Sequence, residues 1–284
     1  MSDAEAPIRK SDLPIRFAAS VVMIVVASAA TYFGGWAFRA LATLAAVLMM
    51  IEWGDMHRVP RLWSGLGALL IAANLLVGTE LLYPAGTAQA LGEGGDPAAL
   101  LPQSFDPAWW GFGATVLLGL LLGLASRRPV MAWGYIYLAV PAFALLVLGW
   151  LDIAIVFWVF IVTWSTDIFA YFAGRSIGGP KLAPRISPNK TWAGLIGGMA
   201  GATLLGWLTA DLLDLGSPFA WLGAPMGIIA QAGDLYESWE KRRAGVKDSG
   251  TILPGHGGVL DRLDGLLAVV VAMMAVLMTG LWTG

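Results

Sequence analysis

Apolar runs of roughly 18 to 22 residues recur along this chain, and a run of that length crosses a hydrocarbon layer as an α-helix. The first covers 17–38, and a shorter one follows to about Ile51. Others fall near 62–82, 108–125, 129–150, 153–172, 191–210, 218–236 and 265–283. Apolar and polar positions do not alternate within them, which excludes the strands of a closed barrel. The expected fold is all-α, a polytopic integral membrane protein of about nine transmembrane helices. Composition agrees. Charged residues make up 13% of the chain, against about a quarter in soluble proteins. The chain is read as a single membrane domain over 1–284, with N-terminal helices in 16–150 and catalytic helices and loops in 151–284.

Charge sets the orientation. The basic opening segment with Arg9, Lys10 and Arg16 precedes a run too long for a signal-peptide core, so that run is kept as the first span. With the N-terminus in the cytoplasm, the inner loops are 52–61, 126–128, 173–190 and 237–264. Every Lys and Arg except Arg39 then lies on the inner side. The outer segments carry Glu80, Glu93, Asp96, Asp106, Asp152, Asp211 and Asp214. That bias is the positive-inside rule. The long outer connection near 83–107 is rich in Gly, Pro and Ala, and no function is assigned to it.

The chain contains no cysteine, which removes disulfides, thiolate metal sites and a Cys nucleophile. Neither a Walker loop nor a G-x-G-x-x-G motif is present, so the common nucleotide-binding folds are not indicated.

Polar chemistry concentrates in Gly233–Asp264, between two apolar runs. If the helix at 218–236 continues, Asp234, Ser238 and Lys241 share one face, with Glu237 beside them. A carboxylate at that depth is costly unless paired or metal-bound. Pairing of Asp234 with Lys241 or Arg242 is the plainer alternative. Further on, G-H-G-G-V-L-D-R-L-D spans 255–264. Asp261 and Asp264 fall in the first turn of the last helix, three residues apart, where their carboxylates can converge on one cation. The same helix start offers backbone N–H groups to an anion such as phosphate. Ordinary N-capping accounts for one Asp but not for His256, the glycines, Arg262 and a second Asp together. Oxygen donors without thiolates favour Mg²⁺ over zinc. Lys241, Arg242, Arg243 and Lys247 also read as a topogenic loop attractive to anionic lipid. His57, near Arg58 and Arg61, reads as an interfacial surface residue.

A second cluster is Ser165-Thr166-Asp167 with Tyr171, Gly174 and Arg175, in which Asp167, Tyr171 and Gly174/Arg175 share a helical face. Asp167 lies inside an apolar run and is a functional candidate by default; pairing with Arg175 for packing alone is the alternative. Ser187-Pro188-Asn189-Lys190-Thr191 precedes the seventh run as helix-start chemistry, and Lys190 there could take a phosphate.

The segment S-W-E-K-R-R-A-G-V-K-D-S-G-T-I-L-P-G-H-G-G-V-L-D-R-L-D, residues 238–264, resembles the signature of the phosphatidate cytidylyltransferases, or CDP-diacylglycerol synthases. T-D-x-x-A-Y-x-x-G-R from Thr166 and S-P-N-K-T from Ser187 are similar to the same family, so the resemblance covers at least Asp167 to Asp264. It implies a nucleotidyltransferase of phospholipid biosynthesis that makes CDP-diacylglycerol and pyrophosphate from CTP and phosphatidate. It also implies a homodimer in the cytoplasmic membrane, with Mg²⁺ and an accompanying K⁺ and no nucleic-acid partner. Asp234, Asp261 and Asp264 would be the metal-handling carboxylates, and Lys247 and His256 would join them as catalytic residues. Ser238, Lys241, Arg242, Asp248, Arg262, Asp167, Arg175, Ser187, Lys190 and Thr191 would meet substrate. One departure stands out: Ala193 occupies the place where the family pattern S-P-x-K-T-x-E-G has Glu.

Two other readings remain open at this point. A CTP-dependent enzyme acting on a different lipid phosphate, such as a polyprenyl one, would need the same head-group chemistry. An ion-coupled transporter would also suit the helix count, although its acids would lie at the midplane of paired broken helices.

Overall fold

A computed structural model of the chain describes residues 12–82, 106–253 and 257–279. The order is α1 (Asp12–Phe33), α2 (Gly35–Met56), α3 (Arg61–Ala73), a π-helical turn (Asn74–Gly78), α4 (Thr79–Leu82), α5 (Asp106–Ser126), α6 (Pro129–Leu151) and α7 (Ile153–Ser176). A two-stranded hairpin, β1 (Lys181–Ala183) and β2 (Ser187–Thr191), then leads into α8 (Trp192–Leu212), α9 (Ser217–Ala244) and α10 (Leu260–Met278). Among the described residues, six helical segments are long and apolar enough to cross a membrane: Gly35–Met56, Arg61–Leu81, Ala108–Ser126, Pro129–Leu151, Ile153–Ser176 and Trp192–Leu212. This is a mostly helical membrane protein. The helices carrying the polar stretch, α9 and α10, are not among the six.

Several boundaries differ from those read off hydropathy. The second helix is not short: it runs past Ile51 to Met56, so Glu52 and Trp53 are helical and buried rather than in a loop. Hydropathy ends a run at the first acid, whereas a helix continues while its backbone bonds are satisfied and that acid has partners. For the same reason α9 continues to Ala244, where Gly245 closes it in a left-handed conformation at φ 77°. The helix break beyond Leu151 falls at Asp152, which is extended and caps α7 by accepting the Ala154 N–H at 2.8 Å. Ser187–Thr191 is a strand, and only Thr191 acts as a helix cap, accepting the Gly194 N–H at 3.0 Å.

In lipid, helix contacts depend on close backbone approach rather than on greasy surface, so small residues decide the packing. Among the described residues the most extensive helix contact is α7 against α8. A Cβ on Gly194 would lie 3.0 Å from the Ala170 carbonyl oxygen, and one on Gly198 3.0 Å from that of Thr166. The start of α10 meets α9 in the same way. A Cβ on Gly233 would sit 2.7 Å from the Asp264 carbonyl oxygen and 3.3 Å from the Gly265 Cα. Larger side chains fill the spaces between rods. Trp53, Tyr135, Phe143 and Trp158 are fully buried, and the Trp indoles donate to the Val130 and Gly206 carbonyls at 3.0 and 2.8 Å.

Candidate active site

The Gly233–Gly265 contact places the residues beside it. Asp234 follows one glycine and Asp264 precedes the other, so these two carboxylates converge because their backbones touch. Both line a cavity of 1030 Å³, together with Asp167, Arg175, Lys190, Thr191, Lys241, Asp248, Asp261 and Arg262. The apolar part of the lining comes from Met23, Ile24 and Ala27 of α1, Phe160, Trp164 and Ile168 of α7, and Leu266 of α10. Asp167, Tyr171, Gly174 and Arg175 do share one face, and it is the face turned to this cavity. Arg175 does not pair with Asp167 along the helix. It donates to the Tyr171 hydroxyl at 2.9 Å and lies over that ring.

Asp234 is paired, but with neither Lys241 nor Arg242. The β2 hairpin delivers Lys190 to it at 2.6 Å, and the same ammonium donates to Gln231 Oε1 at 2.7 Å. Ser238 reaches Asp234 Oδ1 at 3.4 Å. Lys241 turns the other way, 2.5 Å from both Glu237 and Asp261. Arg242 is exposed and closes the α9 C-terminus by donating to the Val246 carbonyl at 3.1 Å. Lys247 is exposed and does not line the cavity, and neither does Ser187. His256 lies outside the described residues. Ala193 is not on the cavity wall, which at this helix start is made by Thr191 and Gly194.

Asp261 is surrounded by donors. It accepts the Ser249 N–H at 2.9 Å, the Ser249 hydroxyl at 3.0 Å and the Gly258 N–H at 2.7 Å, besides the Lys241 ammonium. Glu52 of α2, 3% exposed, takes the next two helix-start amides. Val259 donates to its Oε1 at 2.8 Å and Leu260 to its Oε2 at 2.9 Å. The expectation that these amides would cradle a phosphate is therefore corrected: protein carboxylates already occupy the N–H groups of Gly258, Val259 and Leu260.

The sequence reading did not single out Glu52 or Gln231. For Glu52 a signal was present, an acid interrupting an apolar helix, but the assigned loop boundary hid it. Nearby, His57 is not a surface residue. Its ring lies against Trp53, 4.5 Å between centroids and tilted by 47°, and is 3.8 Å from Glu240. Burial holds its imidazole below the usual value, against the pull of Glu240.

Among the described residues, no group of three acids stands ready as a cation cage. Asp234 is tied to Lys190, and Asp261 to Lys241. The donor chemistry nevertheless fits a hard ion. Carboxylate oxygens are the only strong anionic ligands here, and Mg²⁺ is usually held by one or two carboxylates, with waters and substrate phosphates completing its shell.

The comparisons with known proteins agree with one another. A family model described as the cytidylyltransferase family matches residues 14–279. The phosphatidate cytidylyltransferase of Brucella abortus is 39% identical over 266 residues, covering 91% of this chain and 90% of its own. Those of Pseudomonas aeruginosa (37% over 189 residues; 61% and 68% covered) and Bacillus subtilis (47% over 118 residues; 40% and 44% covered) are similar over shorter stretches.

Proposed function

The chain belongs to the cytidylyltransferase family, and on that footing we propose that it transfers the cytidylyl group of CTP to phosphatidate. The products would be CDP-diacylglycerol and pyrophosphate. The observation that carries this reading is the mixed lining of the cavity. Asp264 and the Lys190–Asp234 pair line it together with apolar side chains of α1 and α7. The polar lining suits phosphates and the apolar lining suits acyl chains, so a soluble and a lipid substrate can meet without the lipid leaving the bilayer.

In the proposed reaction a phosphate oxygen of phosphatidate attacks the α-phosphorus of CTP in line. The bond from the α-phosphorus to the bridging oxygen breaks, and pyrophosphate leaves with the electron pair. The nucleophile is already an anion, so the site needs no strong general base. The protein's task is positioning and charge neutralisation. Lys190, fixed between Gln231 and Asp234, presents its ammonium to phosphate oxygens, and Arg175 and Arg262 reach the same cavity. Asp234, Asp261 and Asp264 are the carboxylates that would hold Mg²⁺, with K⁺ beside it, and a bound cation there would neutralise the triphosphate. Asp261 would have to loosen its pair with Lys241 to take part. Its hydrogen bonds in the meantime hold the loop in shape.

The positive-inside pattern supports about nine crossings with a cytoplasmic N-terminus and the cavity facing the cytoplasm. The bacterial relatives support the inner membrane, and the family resemblance supports a homodimer. The test is an assay of purified protein with labelled CTP across a panel of lipid phosphates. CDP-diacylglycerol formation with phosphatidate supports the reading. Turnover only with another acceptor, such as a polyprenyl phosphate, would replace the lipid substrate, and CTP-independent solute flux in liposomes would replace the whole assignment.

A further inference from the structure

Glu52 lies outside the reacting groups described above. It belongs to the N-terminal helices and enters the hydrogen bonding around Ser249 and Val259–Leu260. The carboxylate sits on α2, 3% exposed. One oxygen accepts the Val259 N–H at 2.8 Å, and the other accepts the Leu260 N–H at 2.9 Å and faces the Ser249 hydroxyl at 3.3 Å. Two glycines make room for it. A Cβ on Gly250 would lie 2.8 Å from Oε1, and one on Gly258 2.6 Å from Oε2. The Ser249 hydroxyl lies between two carboxylates, 3.0 Å from Asp261 and 3.3 Å from Glu52. A chain of contacts thus runs from α2 through Ser249 to Asp261, and on through Lys241 to α9.

We propose that Glu52 is a positioning residue for cytidylyl transfer. From α2 it clamps the K-D-S-G segment (247–250) to the start of α10, and so sets where Asp261 and Asp264 stand relative to Asp234. A buried carboxylate is expensive and persists only when its lone pairs are filled. Here two backbone amides occupy one oxygen each, and the single Ser249 proton is shared between Glu52 and Asp261, so the side chain is anchored and the loop with it. A Gln at this position keeps the shape but turns an N–H₂ group towards a backbone donor. A mere cavity-filling role would tolerate Gln. A clamp would not.

The inference rests on the cytidylyltransferase reading, and wild-type turnover of CTP in the same assay separates failure of that reading from failure of this one. The experiment measures kcat and the KM values for CTP and for phosphatidate in purified wild type, E52Q, S249A and the E52Q/S249A double variant, each assayed well below its own Tm. E52Q is expected to lower kcat/KM for CTP at least tenfold, with the phosphatidate KM unmoved. S249A is expected to change it in the same direction by a smaller factor. Because both act through one clamp, the double variant should lose little more than E52Q alone. Independent effects that multiply in full would overturn the proposal. So would an E52Q enzyme whose only change is a lower active fraction. Should E52Q fail to fold, S249A decides: unchanged kinetics in that variant reject the clamp.

Discussion

Substituting Asn for Asp261 tests the arrangement most directly, because Lys241, Ser249 and Gly258 all donate to this side chain. Lys241 lies 2.5 Å from Oδ1, while Gly258 N–H and the Ser249 hydroxyl approach Oδ2 at 2.7 and 3.0 Å. Asn keeps one acceptor oxygen and turns its amide hydrogens towards whichever set it abandons. It can satisfy the ammonium or the loop, but not both. The pair is well shielded, with side-chain exposures of 6% for Asp261 and 11% for Lys241. Hydrogen bonds to charged groups contribute about 1.5–3 kcal/mol each, and removing one partner from a buried pair costs about 3–5 kcal/mol. Lys241 keeps Glu237 at 2.5 Å, which argues for the lower end, about 3 kcal/mol. At about 1.4 kcal/mol per decade, that is a loss of roughly a hundredfold if expressed in the barrier. Loss of a metal ligand would deepen it further. The assay is CDP-diacylglycerol formation from labelled CTP by purified variant in detergent, with a tryptophan-fluorescence melt to confirm folding. Turnover within threefold of wild type, in protein that melts normally, would refute the assignment of Asp261.

Three further outcomes are expected. Gly233→Ala should lower Tm by several degrees and reduce turnover, because its Cβ would meet the Asp264 carbonyl at 2.7 Å. Overpacking of that kind costs about 1–3 kcal/mol, and a melt unchanged from wild type would show that the α9–α10 contact is looser than described. Exhaustive chelation should abolish CTP turnover and added Mg²⁺ should restore it; full activity after chelation would count against the carboxylates as metal ligands. His57 is held below its ordinary value of 6.5 by burial, so the folded state binds its proton less readily than the unfolded chain does. The stability it contributes is present above about pH 6.5 and is lost as pH falls towards the lowered folded value. Melts between pH 7.5 and 5 should therefore show a decline in wild type that His57→Gln flattens, and parallel curves would remove His57 as the cause.

Much of the architecture was legible before any coordinates. The apolar runs mark the helical rods because a backbone in lipid must satisfy itself locally. Asp234, Asp261 and Asp264 stood out because they gather with cations and glycines in one polar stretch between two apolar runs, and they do line one cavity. Their partners were not legible. Helical spacing offered Lys241 to Asp234, yet the β2 hairpin brings Lys190 instead. The start of α10 looked like a phosphate cradle, but Glu52 fills it from 207 positions upstream of Val259.

What the sequence determined alone is local: where rods form, how apolar they are, and which polar segment shares an edge with the acids. Periodicity and transfer cost depend on nearby residues, so they can be read from the string. The tertiary structure decided which charges meet. In a bilayer the apolar faces of the rods are interchangeable, and the pairing of helices is chosen by where glycines let backbones touch, as at Gly233 and Gly265. That choice is a matter of shape between distant segments, and it set Asp234 beside the start of α10 and brought Glu52 to the Val259 and Leu260 amides.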